Sequence, residues 1–290
     1  MIRILAVILT FAATTVAAQY ATSFKSSEVV PGIIMVEGAD GFGGGNMSLL
    51  IGKDHVAMID DGIDPLGETL VAYVNETAGR PIEFLINTHV HGDHAGGNAH
   101  FAENGTVIFA HDNIRKRLLD DSEPAGGDGG LPVITFSAGM TFHLNGIEAQ
   151  VVHIPAAHTD GDAAIFFDDV NVIHAGDLLF NGLFPFIDHD SGGTVSGYIA
   201  AQQKLLSIAD EKTKIIPGHG ALATKADLQR TLMMITDCQA RVKLLVDQGK
   251  TLDEVLQENP LAVYHDTYNW SFITTERMTQ TMYRELTEGE

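Results

Sequence analysis

Residues 88–94 read Thr88-His89-Val90-His91-Gly92-Asp93-His94, which places four metal-capable side chains within six residues. The segment follows the apolar run 82–87, whose length and β-branched and aromatic content predict a buried strand. A Gly-Gly pair, Gly96-Gly97, comes just after it. A polar loop of this kind at the end of a buried strand constrains the fold strongly, because layered α/β proteins gather their ligand sites at the C-terminal ends of strands. In extended backbone alternate residues face the same way, so His89 and His91 can reach one metal while Val90 points into the core. Gly92 is expected to permit a sharp bend, after which Asp93 and His94 face a second ion. Ions served by one such loop lie roughly 3.5–4 Å apart in two-metal hydrolases.

The rest of the chain repeats the arrangement. Short strands are predicted at 29–37, 47–51, 56–59, 106–110, 133–136, 141–144, 148–154, 163–167, 170–174 and 214–216. Helices are predicted at 66–77, 113–119, 195–208, 225–248, 251–257 and 275–287, with a Gly- and Asp-rich loop at 120–130. Two batches of strands, with helices between and after them, indicate an α/β domain with two sheets inside and helices outside. His158, Asp177 and His219 each follow a predicted strand and sit beside turn-forming residues. With the first loop they offer five imidazoles and two carboxylates, about what two first-row metal ions need while leaving room for water and substrate. A carboxylate at Asp177 can bridge such a pair. A lone histidine is usually structural, and His100, His143, His153, His189 and His265 are read so. His111 and His174 are read as strand-end residues with local hydrogen bonds.

Composition and termini narrow the setting. Arg3 and the apolar run to Ala18 read as a secretory signal peptide, leaving residues 19–290 as one domain with C-terminal helices, exported to a bacterial periplasm. The one cysteine, Cys238, excludes an internal disulfide and falls on a helical apolar stripe. A net charge of −21 argues against nucleic acid and against an anionic membrane surface as partners, which leaves a small-molecule substrate.

Thr88 to His94 matches the T-H-x-H-x-D-H signature of the metallo-β-lactamase fold superfamily, and the resemblance extends over nearly the whole mature chain. Met58-Ile59-Asp60-Asp61-Gly62 resembles the strand-turn whose aspartate, here Asp60, supports the histidine loop. The resemblance continues at His158-Thr159-Asp160-Gly161-Asp162, at His174-Ala175-Gly176-Asp177 and at Pro217-Gly218-His219-Gly220. It implies an αββα four-layer sandwich holding two Zn²⁺, with Fe or Mn as alternatives. His89, His91 and His158 would serve the first metal; Asp93, His94 and His219 would serve the second; Asp177 would bridge them. Asp93 would also act in catalysis by orienting the attacking water.

Departures from particular branches bear on the substrate. The best-known β-lactamases carry Cys where Asp177 stands and, three residues on, a Lys for the antibiotic's carboxylate. Phe180 occupies that position here, and no Lys or Arg occurs between Asp177 and Gln203. Family lactonases tend to place a Tyr there. Glyoxalase II uses a basic C-terminal surface, which Arg277 and Arg284 amid several acids match poorly. Iron-binding redox relatives usually show Glu where His91 stands. The expectation is a zinc-dependent hydrolase of a small cyclic amide or ester with weak β-lactamase activity; lactone or thioester hydrolysis is the first rival and iron redox chemistry the second. Phe42, Phe180, Phe184 and Phe186 are expected to face the substrate.

Overall fold

The computed structural model describes residues 19–120 and 128–288. The predicted leader and most of the Gly- and Asp-rich loop lie outside them. One sheet has seven strands in sequence order: β1 (Ser23–Val30), β2 (Ile33–Ala39), β3 (Met47–Ile51), β4 (Val56–Ile59), β5 (Phe84–Ile86), β6 (Val107–His111) and β7 (Ile134–Phe136). β1 to β4 run antiparallel, and β4 to β7 are parallel. The second sheet has six strands in the order β13-β12-β11-β10-β9-β8. They are β8 (Gly139–Leu144), β9 (Ile147–His153), β10 (Ala163–Phe167), β11 (Val172–Phe180), β12 (Lys214–His219) and β13 (Ala223–Thr224).

The sheets pack face to face because their strands alternate. On β9, Ala149 and Val151 are buried and join Ile33, Met35, Ile59 and Phe109 of the other sheet in the central core. The outer faces are apolar too, so each needs helices. α1 (Gly67–Ala78) lays Leu70, Val71 and Val74 on Met47, Leu49 and Met58, and α2 (Asn98–Glu103) adds Phe101. α3 (Asp112–Asp120) buries Ile114 and Leu118 beside Ala110. On the far side, α4 (Val195–Ile208) presents Ala201 and Leu205 to Phe166, Ile173 and Ile215. α5 (Lys225–Val246), α6 (Leu252–Glu258), α7 (His265–Tyr268) and α8 (Thr275–Glu288) follow, and the long α5 starts with a capping box from Thr224 and Asp227. The layers are helix, sheet, sheet, helix, the expected αββα sandwich.

Cys238 lies buried among α5, α6 and α8, and burial pushes its thiol up to about 12. Among the described residues no helix is long and apolar enough to cross a membrane. Three expectations shift. The run predicted at 29–37 is a hairpin broken between Val30 and Ile33, because Pro31-Gly32 turns the chain. The short helices α2 and α7 carry too little periodicity to predict. β11 continues past His174 to Phe180, fully buried, because β12 pairs with it in parallel as far as Phe180↔His219. Asp177 therefore sits on a strand rather than after one.

Candidate metal centre

The ends of β4, β5, β11 and β12 meet at one edge of the sandwich, and the seven candidate side chains converge there. Three overlapping groups, His89/His91/His158/Asp177, His89/Asp93/His94 and His94/Asp177/His219, each have ligand atoms within 4.8 Å of one another.

Local structure explains the convergence. Asp60, at the end of β4, is fully buried, and its carboxylate accepts hydrogen bonds from Thr88 N and Oγ1, both at 2.7 Å, and from His94 Nδ1 at 2.8 Å. One side chain thus clamps both ends of the histidine loop and turns His94 Nε2 toward Asp177, as the resemblance implied for Asp60. The bend in the loop is a helical turn, with His91 O accepting from His94 N at 3.0 Å and from Ala95 N at 2.9 Å. Gly92 is not in the left-handed region, so the bend does not require its conformational freedom. Close approach imposes the glycine requirement elsewhere. A Cβ on Gly45 would lie 2.1 Å from His94 Cε1, and one on Gly218 would lie 1.9 Å from Asp177 Oδ1.

Asp177 divides the imidazoles into two sets. Its Oδ2 lies 3.2 Å from His158 Nε2 and 3.6 Å from His89 Nε2; its Oδ1 lies 3.1 Å from His94 Nε2 and 3.5 Å from His219 Nε2. Asp93 Oδ2 stands 3.2 Å from His219 Nε2 and 3.7 Å from His94 Nε2. Outer partners fix which nitrogens face inward. His158 Nδ1 donates to Phe186 O at 2.7 Å, and His91 Nε2 donates to Asp188 Oδ2 at 2.9 Å. The inward atoms, His158 Nε2 and His91 Nδ1, are then both lone pairs, 2.8 Å apart.

Burial drives His158 down to about 4 and His89 well below the ordinary imidazole value, so both keep free lone pairs. Burial opposes charge on His219 too, but Asp177 and Asp93 outweigh it and hold that ring at about 9. Asp93 remains ionised: burial would raise it, yet His94 and His219 keep it at about 2.

These residues fit a metal. His89 Nε2 and Asp177 Oδ1 are buried with no hydrogen-bond partner, a costly state for polar atoms in a protein interior. Two facing imidazole lone pairs repel unless a cation lies near both. A set of imidazole nitrogens and carboxylate oxygens suits zinc, and also iron or manganese.

The cluster floors a cavity of about 480 Å³ lined by Phe42, His91, Asp93, Asp177, Phe180, Phe186, His219, Trp270, Ser271 and Phe272. Phe42, Phe180 and Phe186, expected to face the substrate, are among its lining residues. Phe184 is a correction: it is fully buried in the helix cluster with Tyr198, Ile235 and Met278, held there because its N–H donates to Tyr268 O at 2.8 Å and its carbonyl accepts from Trp270 Nε1 at 2.9 Å. Trp270 and Phe272 take its place in the wall. Sequence reasoning also missed Asp188 and Asn46. Asn46 Nδ2 donates to Pro217 O at 2.9 Å and Gly220 O at 2.8 Å, tying the glycine loop to the His219 turn. The aromatic pair Trp270/Phe272 in a polar connector was the one local signal among these. His100 bonds Asp64 at 3.1 Å, outside all three groups, and His111 stacks on His153 with centroids 3.7 Å apart.

The four layers and the imidazole–carboxylate cluster at their edge are those of a metallo-hydrolase. Residues 40–219 match the family model of the metallo-beta-lactamase superfamily, and the chain belongs to that superfamily. It is similar to the probable metallo-hydrolase YqgX of Bacillus subtilis, with 27% identity over 184 residues, 60% of this chain and 84% of the relative. It is also similar to the hydroxyacylglutathione hydrolase GloC of Haemophilus influenzae, with 28% identity over 197 residues, 64% of this chain and 90% of the relative. A metallo-beta-lactamase from Pontibacter korlensis has the same fold, with a TM-score of 0.64 and 17% identity, covering 74% of this chain and 100% of that one.

Proposed function

We propose that the protein is a two-zinc hydrolase of a small ester or thioester with a largely apolar body, exported by its N-terminal leader, and that β-lactam cleavage is a side activity. The observation that carries this reading is the shared cavity: His91, Asp93, Asp177 and His219 line the same space as Phe42, Phe180, Phe186, Trp270 and Phe272. His89 Nε2, His91 Nδ1 and His158 Nε2 would hold one ion, and Asp93, His94 Nε2 and His219 Nε2 the other, with one oxygen of Asp177 on each side. Zinc bound there lowers the pKa of water and polarises a carbonyl. The protein's own part is positional. Ionised Asp93 accepts a hydrogen from the incoming water and orients it, and the aromatic walls hold the acyl body and exclude bulk water, which strengthens every charge in the site.

The ester and thioester reading takes precedence over a cyclic amide for two reasons. Phe180 stacks on His219, with centroids 4.9 Å apart, in the position from which a lysine would hold a lactam's carboxylate. The relatives also include a hydroxyacylglutathione hydrolase, whose reaction is thioester cleavage. Parallel assays of the zinc-loaded protein on an acylglutathione, an aryl ester, an acyl-homoserine lactone and nitrocefin test the reading. The thioester or an ester should be turned over with kcat/KM at least about tenfold above nitrocefin. A preference for nitrocefin sinks the proposal.

A further inference from the structure

Arg277 lies in the first turn of α8, where the positive end of the helix dipole disfavours a cation. Its guanidinium carbon stands 4.3 Å from the Phe272 ring centroid and 5.1 Å from that of Phe186. Both rings line the cavity, and Phe186 in turn packs 5.4 Å from the His91 ring and 5.8 Å from the His158 ring. Arg80, Arg117, Arg230, Arg241 and Arg284 each pair with a carboxylate, in a chain whose net charge of −21 makes carboxylates plentiful, and Arg115 bonds the carbonyl of Pro132 at 2.6 Å. Arg277 forms no ion pair among the described residues. Its one hydrogen bond through a guanidinium nitrogen runs from Nη1 to Phe272 O at 3.1 Å, which fixes the plane and leaves the other N–H groups of the fork without a protein partner among those residues. Stacking occupies the faces of a guanidinium and leaves its edge free for a planar, bidentate acceptor.

We infer that Arg277 is the anion-reading group of the pocket and selects substrates that carry a carboxylate remote from the scissile bond. Such a substrate lays its apolar body along Phe186 and Phe272, with its carboxylate on the guanidinium edge and its carbonyl over the cluster. One aromatic ring separates the two ends, a span of roughly 10 Å. The cation that the segment after Asp177 lacks is thereby supplied from the C-terminal helix. The inference rests on the acyl-hydrolase reading above, but its test needs no turnover. Trp270 is the chain's one tryptophan and lines the cavity, so its fluorescence reports occupancy directly.

Phenylbutyrate and its neutral amide, phenylbutyramide, are titrated into zinc-loaded wild type, Arg277→Gln and Arg277→Lys. Wild type should bind the carboxylate at least about tenfold more tightly than the amide. Arg277→Gln should lose that preference while its affinity for the amide stays within about twofold, and Arg277→Lys should keep part of the preference as a point charge without the fork. Three results overturn the inference: no preference in wild type, a preference that survives in Arg277→Gln because the metal centre holds the anion, or an equal loss for both ligands because Arg277 merely props the rings. A protein inactive on every thioester and ester would sink the functional reading and leave this binding result standing.

Discussion

Asp188→Ala removes a side chain that the histidine motif does not announce, and its effect follows from the structure. Asp188 Oδ2 accepts from His91 Nε2 at 2.9 Å, while Oδ1 accepts from Asp190 N and Ser191 N, each at 3.1 Å. Burial would raise this carboxyl, but His91 and Ser191 hold it well below the usual carboxylate range. Asp188 therefore stays ionised, keeps the proton on His91 Nε2 and leaves Nδ1 as the inward donor. Without it the ring loses its fixed tautomer and the hydrogen bond that orients it. Outer partners of metal-bound histidines typically contribute 10–100-fold to metal affinity, about 1.4–2.8 kcal/mol. Asp188→Asn keeps the volume and a neutral acceptor, so its loss should lie nearer about tenfold. The assay is a competition titration of the chelated proteins with zinc against a chromophoric chelator. Affinity in Asp188→Ala equal to wild type would refute the argument that Asp188 sets the His91 donor atom.

Three further outcomes follow from other contacts. Gly45→Ala places a methyl 2.1 Å from His94 Cε1 and 2.2 Å from Nε2, so His94 must move and the site shared with Asp93 and His219 should weaken; equilibrium dialysis should find one tight zinc per chain, and two would contradict it. Asn46→Ala leaves the carbonyls of Pro217 and Gly220 without their donor, and urea denaturation should show a loss on the order of 2 kcal/mol. The third concerns pH. His219 is raised from 6.5 to about 9 in the folded metal-free chain, so its stabilising contribution is whole below about 6.5 and disappears as pH rises through about 9. The Tm of the chelated protein should therefore fall across that window while zinc affinity, freed from proton competition, rises; a Tm that climbs there would contradict the assignment.

The fold was legible because the strands follow strong local rules. β9 and β10 come from alternation and apolar runs, and α5 from a long periodic stripe. The metal cluster was legible because its residues sit at strand ends beside turn formers, so chain order alone brings them to one edge. What stayed hidden depends on contacts between distant segments. Asp188 is one of three acids or histidines in a row, and only the fold brings it to His91, 97 residues away in the sequence. Asn46 acts across 171 residues. Phe184 and Phe186 look equivalent in sequence, yet Phe184 is pinned by the Tyr268–Trp270 connector and its side chain joins the helix core, while Phe186 faces the cavity. The same connector supplies the wall the sequence left open, and α8 carries the arginine behind it.

Two metal ions held by the seven side chains of these groups are proposed to carry out the acyl hydrolysis. Zinc is added back in steps to chelated protein, with thioester or ester hydrolysis measured at each step. Activity should be absent without metal and should rise to a plateau at two equivalents per chain. Full activity in the chelated protein, or a plateau at one equivalent, would contradict it.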